Sequence, residues 1–206
     1  CLTAIIAETA DYQGTATEAE YFLFRTEEHS TENPKEIDNW VAAIEMADSL
    51  GLDIVSTSLG YTTFDDESFN FAYADMDGRS SRGAQAAIIA ARKGLLLIVA
   101  AGNDGNKAWH YLSTPADADS ILTVGAVDID RTITNFSSFG PSADGRIKPE
   151  ICAVGKQTIL LNPSNDEIMK GNGTSFACPL VAGMAACLWS ALPHASNMEI
   201  RERIIR

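Results

Sequence analysis

The sequence predicts an α/β fold, with helices on both faces of a mainly parallel sheet in a three-layer α/β/α arrangement. Three observations carry that prediction. Apolar runs of strand length alternate with stretches of helical spacing along most of the chain. Two of the runs, residues 95–100 and 121–126, are apolar on both faces, as strands inside a parallel sheet are. The chain has 206 residues, is 46% hydrophobic and 21% charged, and so can bury the core of one domain. Right-handed crossovers then put helices on both sides of the sheet.

Each element has its own warrant. Residues 1–8 read as the later part of a helix, because no capping residue precedes them. Residues 21–25 form a short aromatic run with the length of a buried strand. Residues 26–34 are polar and read as a loop. Residues 36–50 carry Ile37, Trp40, Val41, Ile44 and Ala47 at helical spacing, and Gly51 follows as a natural stop. Residues 53–58 read as a second strand. Residues 61–70 show no period and read as a loop. Asp77-Gly78 is a turn signal. Residues 80–93 place Ala84, Ala87, Ile88 and Ala91 on one helical face, ended by Gly94. Shorter strands are expected at 151–154 and 158–161, and closing helices at 176–192 and 197–205.

Composition excludes several classes of partner. A net charge of −13 opposes nucleic acid and anionic membrane surfaces, both of which need basic groups. No apolar run reaches the length of a membrane span, and the run at 94–101 is far too short. Cys1 stands where a start methionine would, so the chain is expected to be a piece of a longer one. Cys1, Cys152, Cys178 and Cys187 have no metal-ligand spacing, and their apolar contexts predict buried free thiols. No metal site is expected from spacing.

Two short motifs could carry chemistry. In Gly173-Thr174-Ser175-Phe176-Ala177-Cys178-Pro179 a loop turns into a helix. Thr174 or Ser175 could cap that helix, which is the reading its position alone favours. A serine there also meets the positive end of the helix dipole, and small neighbours let a substrate approach. Pro179 lacks an N–H and crowds the carbonyl of Ser175, so a distorted first turn is expected. In Ala101-Gly102-Asn103-Asp104-Gly105, the composition reads as a turn. The rival reading is an amide mounted at a strand end and aimed at a developing oxyanion.

Taken together the motifs resemble the subtilisin-like serine proteases, the subtilase family. Four blocks in the family order carry the resemblance. They are Asp53-Ile54-Val55-Ser56-Thr57-Ser58-Leu59-Gly60, Val99-Ala100-Ala101-Gly102-Asn103-Asp104-Gly105, the connector from Phe136-Ser137-Ser138-Phe139-Gly140-Pro141 to Pro149-Glu150, and the Ser175 heptapeptide. The resemblance implies Ser175 as nucleophile and Asn103 as oxyanion donor beside the Ser175 N–H. It implies Ser58, Leu59 and Gly60 as one wall of the S1 pocket, and Ala100, Ala101 and Gly102 as the other. Asp104 falls at the pocket rim, and the walls favour a large apolar side chain. A polypeptide substrate follows, bound by strand addition.

The family's Asp and His have no match. His29, His110 and His194 all stand in the wrong sequence context. Both triad members are therefore expected upstream of residue 1. Residues 1–206 then form a single partial peptidase domain, inactive alone, from a serine endopeptidase that needs no cofactor. The alternative is a pseudoprotease, a binding domain naturally lacking both residues. A third, an unrelated α/β hydrolase, lacks its elbow because Ala177 replaces the last glycine of Gly-x-Ser-x-Gly. The resemblance further implies an exported protein, secreted or in the cell envelope, with a propeptide or further domains outside the chain. Structural calcium in the acidic stretches Asp65-Asp66-Glu67 and Asp75-Met76-Asp77 is also an implication, although EF-hand spacing is absent.

Overall fold

The computed structural model describes residues 3–206, so Cys1 and the first part of the expected N-terminal helix lie outside the described residues. In order, the elements are α1 (Thr3–Ile6), α2 (Lys35–Leu50), β1 (Ile54–Thr57), α3 (Arg82–Lys93), β2 (Leu96–Ala100), β3 (Leu122–Val127), β4 (Ile151–Val154), β5 (Thr158–Leu161), β6 (Ile168–Gly171), α4 (Thr174–Ala191) and α5 (Asn197–Ile205). Strands β1 to β4 form a parallel sheet in the order β1-β2-β3-β4. A separate antiparallel hairpin joins β5 to β6.

The layers follow from alternation along β2. Leu97 and Val99 face α2 and α3, where they meet Trp40, Ile44, Ala84, Ala87 and Ala91. Leu96, Ile98 and Ala100 face the other way, onto Ala177, Val181, Ala182 and Ala185 of α4 and Ile200 of α5. Burial on both faces is what the unbroken apolar run demanded. The helix ends are made locally. The Ser81 hydroxyl accepts the Ala84 N–H at the start of α3, and Ser196 with Glu199 forms a capping box on α5. Gly51 and Gly94 close α2 and α3 in the left-handed conformation.

The expected strand at residues 21–25 does not form. Its residues join no ladder, and Phe22, Leu23 and Phe24 are 44%, 66% and 42% exposed. Only Tyr21 packs into the core. An aromatic run has strand length, but a strand also needs a neighbour to pair with, and β1 pairs only with β2. Conversely, β6 was hidden in a polar stretch whose side chains at Ile168, Met169 and Lys170 stay exposed. Helix α4 begins at Thr174 with Gly173 as its cap, so neither Thr174 nor Ser175 is the capping residue. The thiols also differ from expectation, since Cys178 is buried whereas Cys152 and Cys187 are exposed. Cys152 sits on β4 with its side chain outward, and Cys187 lies on the solvent side of α4.

The longest apolar helix is α4, which by length and composition could cross a membrane. Here it packs along the sheet, contacting all four parallel strands, as a core helix does. Its small residues let it do so. A side chain at Gly183 would collide with Thr15, which shows how closely the 14–16 segment crosses the helix.

Candidate active site

The register of the sheet assembles the site. Thr57 pairs with Val99, so residues 58–60 and 101–102 leave the sheet at the same, carboxyl end, just past Ala100. Parallel sheets place functional residues at that end. The N-terminus of α4 arrives there too, because α4 packs against the sheet strands.

Ser175 is the second residue of α4 and is half-buried. Pro179 cannot donate to the Ser175 carbonyl, which would otherwise accept from four residues on. The Ser58 hydroxyl takes that place, donating to the Ser175 carbonyl at 3.0 Å. In return the Ser175 hydroxyl donates to the Ser58 carbonyl at 3.4 Å. The distortion expected from Pro179 thus becomes a tie between α4 and the end of β1, within a continuous helix.

Asn103 is fixed from the same helix end. Its Oδ1 accepts the Thr174 N–H at 2.8 Å and lies 3.2 Å from the Thr174 hydroxyl. One of the helix's orphan N–H groups is thereby satisfied. With Oδ1 so held, the Nδ2 group of Asn103 has no partner among the described residues and is exposed. The next orphan donor, the N–H of Ser175, is likewise unpartnered among the described residues. Two free donors, one on Ser175 itself and one on the side chain tied to its neighbour Thr174, therefore stand at the positive end of α4.

The two expected walls differ. Ser58 and Leu59 are half-buried and Gly60 is exposed. Ala100 and Ala101 are 3% and 0% exposed and belong to the core, whereas Gly102 of the opposite segment is half-buried. Gly102 needs to be glycine on two counts. Its φ is +112°, and a Cβ would lie 2.8 Å from the Ser138 hydroxyl. Thr174 binds the Gly102 backbone from below, at 3.2 Å from both its N and its O. Asp104 is half-buried and its carboxylate is paired with Lys107 at 2.7 Å. The Asp104 N–H donates to Ser138 at 3.0 Å.

Sequence reasoning did not single out Thr174 as the residue that holds Asn103, nor Ser138 and Ser113 beside Gly102. Thr174 carried a signal, because its place next to Ser175 put it in the motif. Ser138 stood within the connector block, but its contact with Gly102 did not show there, and Ser113 carried no signal, since their neighbours come from distant loops.

Among the described residues none of the three histidines is hydrogen-bonded to Ser175. His29 and His194 are exposed, and His110 packs against Tyr111 and Phe139 with Nδ1 3.1 Å from the Ala108 carbonyl. The acidic stretches lie in turns and short 3-10 segments. Among the described residues no three His, Cys, Asp or Glu side chains gather around one centre. Their carboxylates cap local turns instead, Asp66 onto the Ser68 N–H, Asp75 onto that of Ala72, and Asp77 onto those of Arg79 and Ser80.

Comparison with known proteins fits this geometry. The chain is 34% identical to subtilisin DY of Bacillus licheniformis over 80% of its length and 52% of that protein. It is 28% identical to the mouse (Mus musculus) membrane-bound transcription factor site-1 protease over 93% of its length, but only 17% of that protein. The chain thus spans about half, or less, of the curated relatives it matches. Among solved structures, the self-cleaved protease domain of PatA superposes with a TM-score of 0.75, covering 98% of this chain and 71% of that one. At 22% identity that likeness shows a shared fold. The family model described as "Subtilase family" matches residues 2–206, and the chain belongs to that family.

Proposed function

We propose that this chain carries the nucleophile and the oxyanion site of a subtilisin-type serine endopeptidase. The observation that carries the reading is one cluster. The Ser175 hydroxyl lies on the Ser58 carbonyl, with the free Ser175 N–H and the free Asn103 amide beside it. In the reaction, the Ser175 Oγ attacks the peptide carbonyl carbon and its proton passes to a base. The oxyanion takes hydrogen bonds from the Asn103 Nδ2 and the Ser175 N–H. The C–N bond then breaks as the amine accepts a proton, and water hydrolyses the acyl-serine. The walls from residues 58–60 and Gly102 receive the substrate as an added strand. No step calls on a metal or cofactor.

The base would come from sequence outside these 206 residues, a reading supported by the lack of any hydrogen bond from the three histidines to the cluster among the described residues. An Asp and a His supplied upstream would complete the triad logic. Support for an exported protein comes from relatives such as the halolysin-like extracellular protease of Natrialba magadii, 36% identical over 54% of this chain. The test uses the full-length protein that contains this chain. A fluorophosphonate probe should label Ser175, and peptide hydrolysis should vanish in Ser175→Ala. The 206-residue chain alone should hydrolyse nothing above background. A full-length protein that neither reacts with the probe nor cleaves peptides is a pseudoprotease, and the reading fails.

A further inference from the structure

Away from Ser175, two buried polar atoms have no hydrogen-bond partner among the described residues, the Oδ1 of Asp117 and the Nη1 of Arg146. Asp117 is 0% exposed. Both residues flank Gly78. The Gly78 N–H donates to Asp117 Oδ2 at 2.7 Å. A Cβ on Gly78 would lie 2.5 Å from Arg146 Nη2 and 2.9 Å from the Asp117 carbonyl oxygen. The guanidinium and Asp117 are therefore neighbours across a glycine, whose φ of +73° turns the chain between them.

The other atoms of both groups are committed. Arg146 Nε donates to the Asp144 carboxylate at 2.8 Å, and Nη2 to the Asp77 carbonyl at 3.1 Å. A guanidinium is a rigid planar fork, so those two bonds fix where Nη1 points. Nη1 can only donate, and an ionised Oδ1 can only accept. Burial raises the pKa of the Asp117 carboxyl, against the pull of the Gly78 N–H and the Thr114 hydroxyl. Protonation does not pair the two atoms, because it turns Oδ1 into a donor, and Nη1 is a donor already. A cation suits Oδ1 but is repelled by Arg146, and an anion meets the reverse. The ligand that satisfies both donates to a carboxylate and accepts from a guanidinium. Water does both and is small enough to be enclosed. Its second hydrogen has the Asp117 carbonyl to hand, an oxygen that accepts no backbone N–H. We propose that one internal water bridges Asp117 Oδ1 and Arg146 Nη1. It joins the turn at 77–78 and the 113–117 segment, whose Thr114 pairs with Tyr61, to the connector that carries Ser138. The proposal is independent of the peptidase reading.

A crystal structure of the full-length protein, at a resolution that shows ordered waters, tests it directly. One water should lie within hydrogen-bond distance of both Asp117 Oδ1 and Arg146 Nη1. A direct contact between the two side chains overturns the proposal, as does a metal ion between them, or both atoms unpaired with no density between. In solution, relaxation dispersion of water deuterons counts long-lived internal waters. Arg146→Met removes a partner of the bridge, so the count should fall by one, with circular dichroism showing that the variant is folded. An unchanged count overturns the proposal. If the variant does not fold, the crystal structure of the unaltered protein still decides.

Discussion

At the scale of single residues, the site depends on groups that each settle a backbone debt left by a neighbour. Pro179 deprives the Ser175 carbonyl of its helical donor, and Ser58 supplies another. The helix start leaves the Thr174 N–H unpaired, and Asn103 accepts it, which aims its amide donor outward. Ser58→Ala should therefore be felt twice. It leaves the Ser175 carbonyl without its donor, at a cost of about 1 kcal/mol, and it loosens the residue proposed as nucleophile. The check is a urea titration in which the midpoint falls while the slope stays constant. Cleavage by the full-length variant should fall as well. An unchanged midpoint would mean that water replaces the Ser58 hydroxyl without loss. Ser175 and Asn103 could be singled out from the sequence as candidates, because their motifs are short and contiguous. The roles of Ser58 toward Pro179 and of Thr174 toward Asn103 were not, since each joins residues more than seventy positions apart.

At the scale of elements, α4 is the piece on which the site is mounted, and a thiol seals it to the sheet. Cys178 is fully buried, with its Sγ 3.2 Å from the Ile98 carbonyl and 3.5 Å from that of Thr57. Burial pushes its pKa up to about 11, so little thiolate forms near neutrality. A maleimide or iodoacetamide reagent should modify the exposed Cys152 and Cys187 in the native protein. Cys178 should react only when denaturant opens the α4–sheet layer. Peptide mapping of labelled thiols gives the answer, and native labelling of Cys178 at the rate of Cys187 would show that this layer opens readily. The sequence located α4 from its small and apolar residues but not its first turn, because Gly173, rather than a Ser or Thr, became the cap. It also gave the segment at 21–25 a strand it does not form, since apolar length says nothing about a pairing partner.

At the scale of the whole molecule, the connector before β4 ties the two ends of the fold together. Glu150 sits at the centre. Its Oε1 holds the Lys148 ammonium at 2.8 Å and Arg201 of α5 at 3.0 Å. Its Oε2 accepts the Thr123 N–H of β3 at 2.9 Å. Lys148 is almost wholly buried, with 1% of its side chain exposed, and burial holds its pKa below the usual lysine value. Removing the carboxylate strands that charge, so Glu150→Ala should destabilise the fold by about 3–5 kcal/mol. The exposed pair Arg82–Asp38, with side chains 60% and 49% exposed, sets the comparison. Arg82→Ala should cost about 1 kcal/mol or less. Chemical denaturation of both variants decides it, and equal losses would mean that the Glu150 network is as well solvated as a surface pair.

The sequence by itself determined the class of fold and the order of most elements, and it singled out Ser175 and Asn103 as candidates. Those features are written in local periodicity and contiguous motifs, which need no knowledge of what lies opposite. Tertiary structure alone decided which of the expected wall residues face the cleft. Ala100 and Ala101 are consumed by the core, and Gly102 is left at the surface because its positive φ turns the chain out of the sheet. It alone brought Ser113 against Gly60 and Gly102, through pairing of the 113–114 segment with Tyr61 and Ala101. The physical reason is the same in each case. Burial and hydrogen-bond partnership are properties of the space around a residue, and that space is filled by segments distant in the chain.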